Sequence, residues 1–150
     1  MKKIIFFIAA TLLMTAAFAQ KPVLLKQSNN KLFNYGRTAT VTTTDSTLTA
    51  IDSIVIAADE AGIVEVQVVG FNDSTSTAVT GSKILRYVKD GGTLTLGSAT
   101  NVLTTVTDAT LGTATWTVTT SGDNIIVQVK GKAGFTVRWQ ANTRRIYRKT

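Results

Sequence analysis

The chain contains no cysteine and no histidine. Without cysteine it can form no disulfide, carry no thiolate nucleophile and accept no lipid at an export site. Without histidine, Ser–His–Asp and Cys–His catalysis lack their base, and ordinary zinc and copper sites lack their ligands. Phosphate-cradling glycine loops, dinucleotide fingerprints and the GxSxG elbow are also missing. No resident cofactor is expected. Glutamate occurs only at Glu60 and Glu65, and proline only at Pro22. Beyond the N-terminal segment, no run is long and apolar enough to span a bilayer as a helix.

What is present begins with an export pattern. Lys2 and Lys3 form a positive start, Ile4 to Met14 is apolar apart from Thr11, and Ala17-Phe18-Ala19 places small residues at a cleavage-type site. This layout predicts a secretory signal over residues 1–19, with the mature chain starting at Gln20. A retained membrane anchor is the alternative. Residues 20–37 read as an N-terminal arm and 38–150 as one β-sandwich domain. The expected location is the periplasm, the cell surface or the medium.

From Thr38 onward threonine, valine, isoleucine and glycine dominate. β-Branched residues at that density favour extended chain over helix. The period agrees. Val64, Val66 and Val68 alternate with Ile63, Glu65, Gln67 and Val69, and Phe135, Val137, Trp139 and Ala141 alternate with Thr136, Arg138, Gln140 and Asn142. Such two-residue alternation marks strands with one buried and one wet face. About nine strands are predicted, over 39–44, 50–57, 62–71, 82–89, 93–97, 101–107, 113–120, 124–130 and 134–147. The fold class is all-β: an antiparallel sandwich, jelly-roll-like. Asp90-Gly91-Gly92, Ser121-Gly122-Asp123-Asn124 and Gly131-Lys132-Ala133-Gly134 read as hairpin turns. The last two would join the Trp116, Ile125 and Phe135 strands into one meander. Residues 72–80 read as a longer polar loop.

The formal net charge is +7, but it is unevenly spread. All the acidic residues lie between Asp45 and Asp123, whereas the segment after Asn124 is purely basic. The two regions could pair within one chain or between neighbouring chains, or the basic segment could hold an anionic surface. Arg138, Arg144, Arg145, Arg148 and Lys149 are the candidates for an anionic-partner or inter-subunit contact. Export and the lack of an aromatic–basic RNA motif speak against nucleic acid.

Two further chemistries have candidate residues. Asp52, Asp59, Glu60 and Glu65 are the carboxylates available for glycosidase-type work, which needs two of them facing across a cleft. Solvated surface carboxylates are the more common outcome. Tyr87, Trp116 and Trp139, with Phe71, could stack on sugar rings, although the alternation places both tryptophans on the core face. Asn72-Asp73-Ser74 offers oxygens to calcium but lacks the acid spacing of a known calcium loop.

Short blocks along the chain carry a resemblance. Val69-Gly-Phe-Asn72, Val79-Thr-Gly-Ser-Lys83, Arg86-Tyr-Val-Lys89, Gly92-Thr-Leu-Thr-Leu-Gly97, Ala114-Thr-Trp-Thr-Val118, Ile126-Val-Gln-Val-Lys-Gly131 and Thr136-Val-Arg-Trp-Gln-Ala141 occur in this order. Together they resemble the β-domains of tailed-phage structural proteins: fibre, spike and head-decoration knobs. The resemblance covers about residues 38–142. It implies a sandwich, often trimeric, used for virion structure or attachment to a host surface, with no catalytic residues. The expected function is therefore an exported, non-enzymatic structural or attachment module. Its expected partners are further copies of itself, with a trimer favoured, and a cell-surface polysaccharide or protein. No stable membrane insertion is expected. A surface carbohydrate-binding module and a carbohydrate-active enzyme are the alternatives.

Overall fold

The computed structural model describes residues 32–149. The signal at 1–19 and the arm up to residue 31 lie outside the described residues. Nine strands follow one another: β1 (Leu32–Thr43), β2 (Leu48–Val55), β3 (Glu60–Asn72), β4 (Thr77–Asp90), β5 (Thr93–Leu96), β6 (Thr100–Thr107), β7 (Thr115–Ser121), β8 (Asn124–Lys130) and β9 (Val137–Lys149). They form two antiparallel sheets. The six-stranded sheet runs β1-β9-β3-β4, and the far edge of β4 is shared by β6 and β5. The three-stranded sheet runs β2-β8-β7. The all-β sandwich of nine strands is as the alternation predicts. Among the described residues, no helix is long and apolar enough to cross a membrane.

The core lies between the sheets and is built from every second residue. Val64, Val66 and Val68 of β3 and Val137, Trp139 and Ala141 of β9 face Ile125, Val127 and Val129 of β8. Each tryptophan rests on a glycine of the large sheet. A β-carbon on Gly70 would stand 2.6 Å from the Trp139 ring, and one on Gly81 would stand 2.7 Å from Trp116 Nε1. Trp139 Nε1 also donates to Thr43 Oγ1 at 2.8 Å, which ties β9 to β1. Only a residue without a side chain lets an indole lie that close to the sheet.

Three local expectations need correction. Residues Leu32–Arg37, read as part of the arm, are strand: they pair with β9 from Thr143 to Arg148. The polar loop is short, because Thr77–Thr80 already belong to β4. Asn72 closes the turn from within, its Oδ1 accepting from Ser74 N at 2.9 Å and from Thr75 N at 3.1 Å. The meander also fails at its last step. β7 and β8 form the expected hairpin, but β9 crosses to the other sheet. The reason is edge occupancy: β8 is already flanked by β7 and β2, so no ladder remains for β9. The Gly131–Gly134 segment is therefore a bridge between sheets.

Candidate functional site

β9 decides where charge goes. It lies between β1 and β3, at the middle of one end of the large sheet. Its residues alternate strictly, so Arg145 faces inward while Arg138, Arg144 and Arg148 face out.

Inside, Arg145 is part of a buried polar cluster. Its Nη1 lies 3.1 Å from Glu60 Oε1 and donates to the Val55 carbonyl at 3.0 Å. Its guanidinium carbon stands 4.1 Å from the centre of the Tyr147 ring. Tyr87 donates from its hydroxyl to Glu60 Oε1 at 2.6 Å. Burial, and then this hydrogen bond, push the Tyr87 phenol far above its ordinary 10.0. Beside them Lys89, also buried, donates to the Ile56 carbonyl at 2.9 Å and pairs with Asp123 at 2.9 Å. Glu60 Oε1 thus receives both Tyr87 and Arg145, groups that fix strands to one another.

The other carboxylates are dispersed. Asp52 is buried in β2 and paired with Arg37 of β1. A bulge between Ala50 and Asp52 turns both Ile51 and Asp52 inward. Asp59 sits in the exposed turn before β3, with φ of 55°. Glu65 lies on the outer face of β3 and accepts from Gln67 at 3.3 Å. Of these four, Asp59 and Glu60 are chain neighbours that line one groove with Asp90, while Asp52 lies in β2 and Glu65 on the outer face of β3. Among the described residues no three acidic side chains gather closely enough to hold a metal ion.

Tyr87, Trp116 and Trp139 are each at most 2% exposed, so none offers a ring face to a sugar. All three are core residues, which the alternation favoured for the two tryptophans. Phe71 alone of the named rings is exposed, on the outer face of β3. Of the five basic candidates, Arg145 is taken inside. Arg138 pairs with Asp73 at the surface, and Arg144 Nε donates to Asn34 Oδ1 at 3.3 Å. Arg148 and Lys149 are exposed near the end of β9. So the basic segment does pair with the acidic middle of its own chain, at Arg138 and Arg145, and keeps arginines in reserve on one face.

Sequence reasoning missed two surfaces. The first is the outer face of the large sheet. Register places Thr38, Asn142 and Gln67 in one row across β1, β9 and β3, ending at the buried Ser82 of β4, and Thr40, Gln140, Val69 and Thr80 in the next. The alternation of β9 does show Arg138, Gln140 and Asn142 sharing a face, but only the strand order shows what stands beside them. The second is β6, where Val102, Leu103 and Val106 are all more than half exposed. Its outer edge is unpaired among the described residues.

No family model matches the chain, and no curated protein matches it. Similar solved structures include two phage proteins. One is the tailspike protein of Acinetobacter baumannii phage AM24, at 10% identity and a TM-score of 0.42 over 83% of this chain and 27% of that one. The other is the tailspike protein of Acinetobacter phage vB_ApiP_P1, at 12% identity and a TM-score of 0.33 over 89% of this chain and 25% of that one. This chain spans about a quarter of the length of each.

Proposed function

We propose that this chain is an exported structural or attachment module, without enzymatic activity, whose sandwich associates with further copies of itself. The observation that carries this reading is β6. It is a sheet edge with three exposed large apolar residues, at 57%, 51% and 58%. No charged residue lies anywhere between Asp90 and Asp108 to guard it. Exported domains that stay monomeric blunt such edges with lysine, proline or a covering loop. A bare, uncharged edge rich in valine and threonine suits pairing with a like strand, and its apolar side chains gain by leaving water. The engagement of Glu60 by Tyr87 and Arg145, and of Asp52 by Arg37, supports a scaffold in place of a catalyst. A trimer is the favoured assembly.

Light scattering on the purified protein at tens of micromolar tests this. The expected mass is a multiple of the chain mass, falling to one chain when Leu103→Lys places a charge on the edge. A monomeric wild-type protein at that concentration would refute self-association.

A further inference from the structure

Four ion pairs join side chains among the described residues, and three of them use arginine. The fourth joins Lys89 to Asp123. A guanidinium group keeps its proton and is no nucleophile, whereas an amine that sheds one proton is a good one. Lys89 is also the only fully buried lysine among the described residues, at 6% exposure. It shares the inner face of β4 with Leu85 and Tyr87.

The pair is held close and held still. Lys89 Nζ lies 2.9 Å from Asp123 Oδ1, so the carboxyl carbon is at most one bond length farther. That is the range of a near-attack contact. Lys89 Nζ also donates to the Ile56 carbonyl at 2.9 Å, and Ile56 N donates to the Asp123 carbonyl at 2.9 Å. Asp123 sits in the tight turn between β7 and β8, where Gly122 takes a φ of 54°. The end of β4, the exit from β2 and this turn therefore fix the amine against the carboxyl group from both sides. Groups fixed in this way react as though at concentrations of about 10⁵–10⁸ M.

We propose that Lys89 and Asp123 condense into an isopeptide bond that staples the large sheet to the small one. One proton passes from Nζ to the carboxylate along their contact, and the neutral nitrogen adds to Cγ. The Nζ–Cγ bond forms, the Cγ–OH bond breaks, and a second nitrogen proton leaves with that hydroxyl as water. An ammonium and a carboxylate become an amide and one water, so the balance consumes no oxidant and no activating group. Glu60, also buried, stands directly opposite Lys89 in the β3–β4 ladder and relays the second proton. Asp123 is 58% exposed, which gives the water its exit. The product removes a charge from a buried nitrogen, and its remaining N–H keeps the Ile56 carbonyl as acceptor. Disulfides perform such stapling in other exported domains, and a chain without cysteine has none. The step acts once, on the chain itself, and is independent of self-association.

Mass spectrometry of the purified, denatured protein tests it. The intact chain is expected to be lighter than its sequence by one water. A succinimide at Asp90-Gly91 would lose the same mass, so a chymotrypsin digest decides between them. The enzyme cuts at Leu94, Leu103 and Trp116, between the two residues. The isopeptide bond leaves the fragment holding Lys89 attached to the fragment holding Asp123 as one branched peptide. A succinimide leaves them apart. Asp123→Ala, at an exposed position, is expected to fold, to show its full mass and to yield no branched peptide. Glu60→Gln, with its fold checked by tryptophan fluorescence, is expected to leave most molecules unlinked. A wild-type chain at full mass, a light chain whose two fragments separate, or an Asp123→Ala chain that is still one water light would overturn the proposal. Glu60→Gln linked as completely as wild type would overturn the relay. Light scattering on the same samples keeps the two readings apart. A linked monomer sinks only self-association, and an unlinked oligomer sinks only the staple.

Discussion

Gly70→Ala should unfold the domain at markedly lower denaturant, against the usual trend for a glycine in a strand. A strand glycine costs roughly 0.5–1 kcal/mol relative to alanine, so its replacement normally stabilises. At Gly70 the added carbon would lie 2.6 Å from both Cε3 and Cζ3 of Trp139. That is about an ångström inside the ordinary carbon–carbon separation. The ring cannot swing aside freely. Its Nε1 donates to Thr43 Oγ1 at 2.8 Å in a buried setting, and breaking that bond costs about 1–3 kcal/mol. If the strand backs away instead, the overpacking costs about 1–3 kcal/mol. Either route outweighs the entropic gain, leaving a net loss of about 1–2 kcal/mol.

Gly36→Ala is the control. It lies on the same sheet, where an added carbon comes no closer than 3.8 Å to any neighbour, the Thr143 carbonyl oxygen. It should be neutral or stabilise by up to roughly 0.5–1 kcal/mol. Urea titrations followed by tryptophan fluorescence measure both, and a shifted midpoint at unchanged slope is the expected form. Gly70→Ala as stable as wild type, or the two variants behaving alike, would refute the claim that the indole is seated on bare backbone.

The buried polar cluster makes two further predictions. Arg145→Ala leaves Glu60 buried beside Tyr87 without its cation and should cost about 3–5 kcal/mol in a urea titration. Arg138→Ala, which breaks an exposed pair with Asp73, should cost well under 1 kcal/mol, so equal losses would contradict this account. For Tyr87, the folded phenol holds its proton above the ordinary 10.0 while the unfolded phenol releases it there. The unfolded chain then binds fewer protons, so stability is full below pH 10 and falls as pH rises beyond it, by at most about 1.4 kcal/mol per pH unit. Tyr87→Phe should flatten that alkaline slope, and an unchanged slope from thermal melts between pH 9 and 11 would refute it.

Much of this fold was legible because alternation speaks directly about faces. Val64, Val66 and Val68 mark the inner face of β3 by their spacing alone, and the Asp90-Gly91-Gly92 turn marks the β4–β5 hairpin. Alternation says nothing about neighbours. That β9 leaves β8 depends on β2, far earlier in the chain, having taken the edge of β8. The inward turn of Asp52 depends on a one-residue bulge, which shifts the period without leaving a residue signature. Lys89 shows two signals in conflict. It shares a face with Leu85 and Tyr87, yet a lone lysine usually argues for exposure. Packing won, because the Ile56 carbonyl and Asp123 stand ready to receive its ammonium group. The outer-face rows were invisible for the same reason as the crossover: Gln67 and Asn142 lie 75 positions apart and meet only through strand order.

The basic C-terminal segment shows why a charge run is a poor unit of interpretation. Arg144 and Arg145 are adjacent in the chain, but the strand sends one to each side of the sheet. Arg145 goes where Glu60 needs a cation, and Arg144 goes where no carboxylate partner waits except the neighbouring Glu65, which Gln67 already engages. The uneven charge of the chain therefore does two separate things. Across the fold, Arg37–Asp52, Arg138–Asp73 and Arg145–Glu60 tie the basic ends to the acidic middle. On the outer face, the arginines left over stand beside amide side chains that are likewise only partly engaged by the protein. Pairing within the chain takes Arg145 on the inner face of β9 and Arg138 on its outer face, and it leaves Arg144 and Arg148 without an ion pair among the described residues.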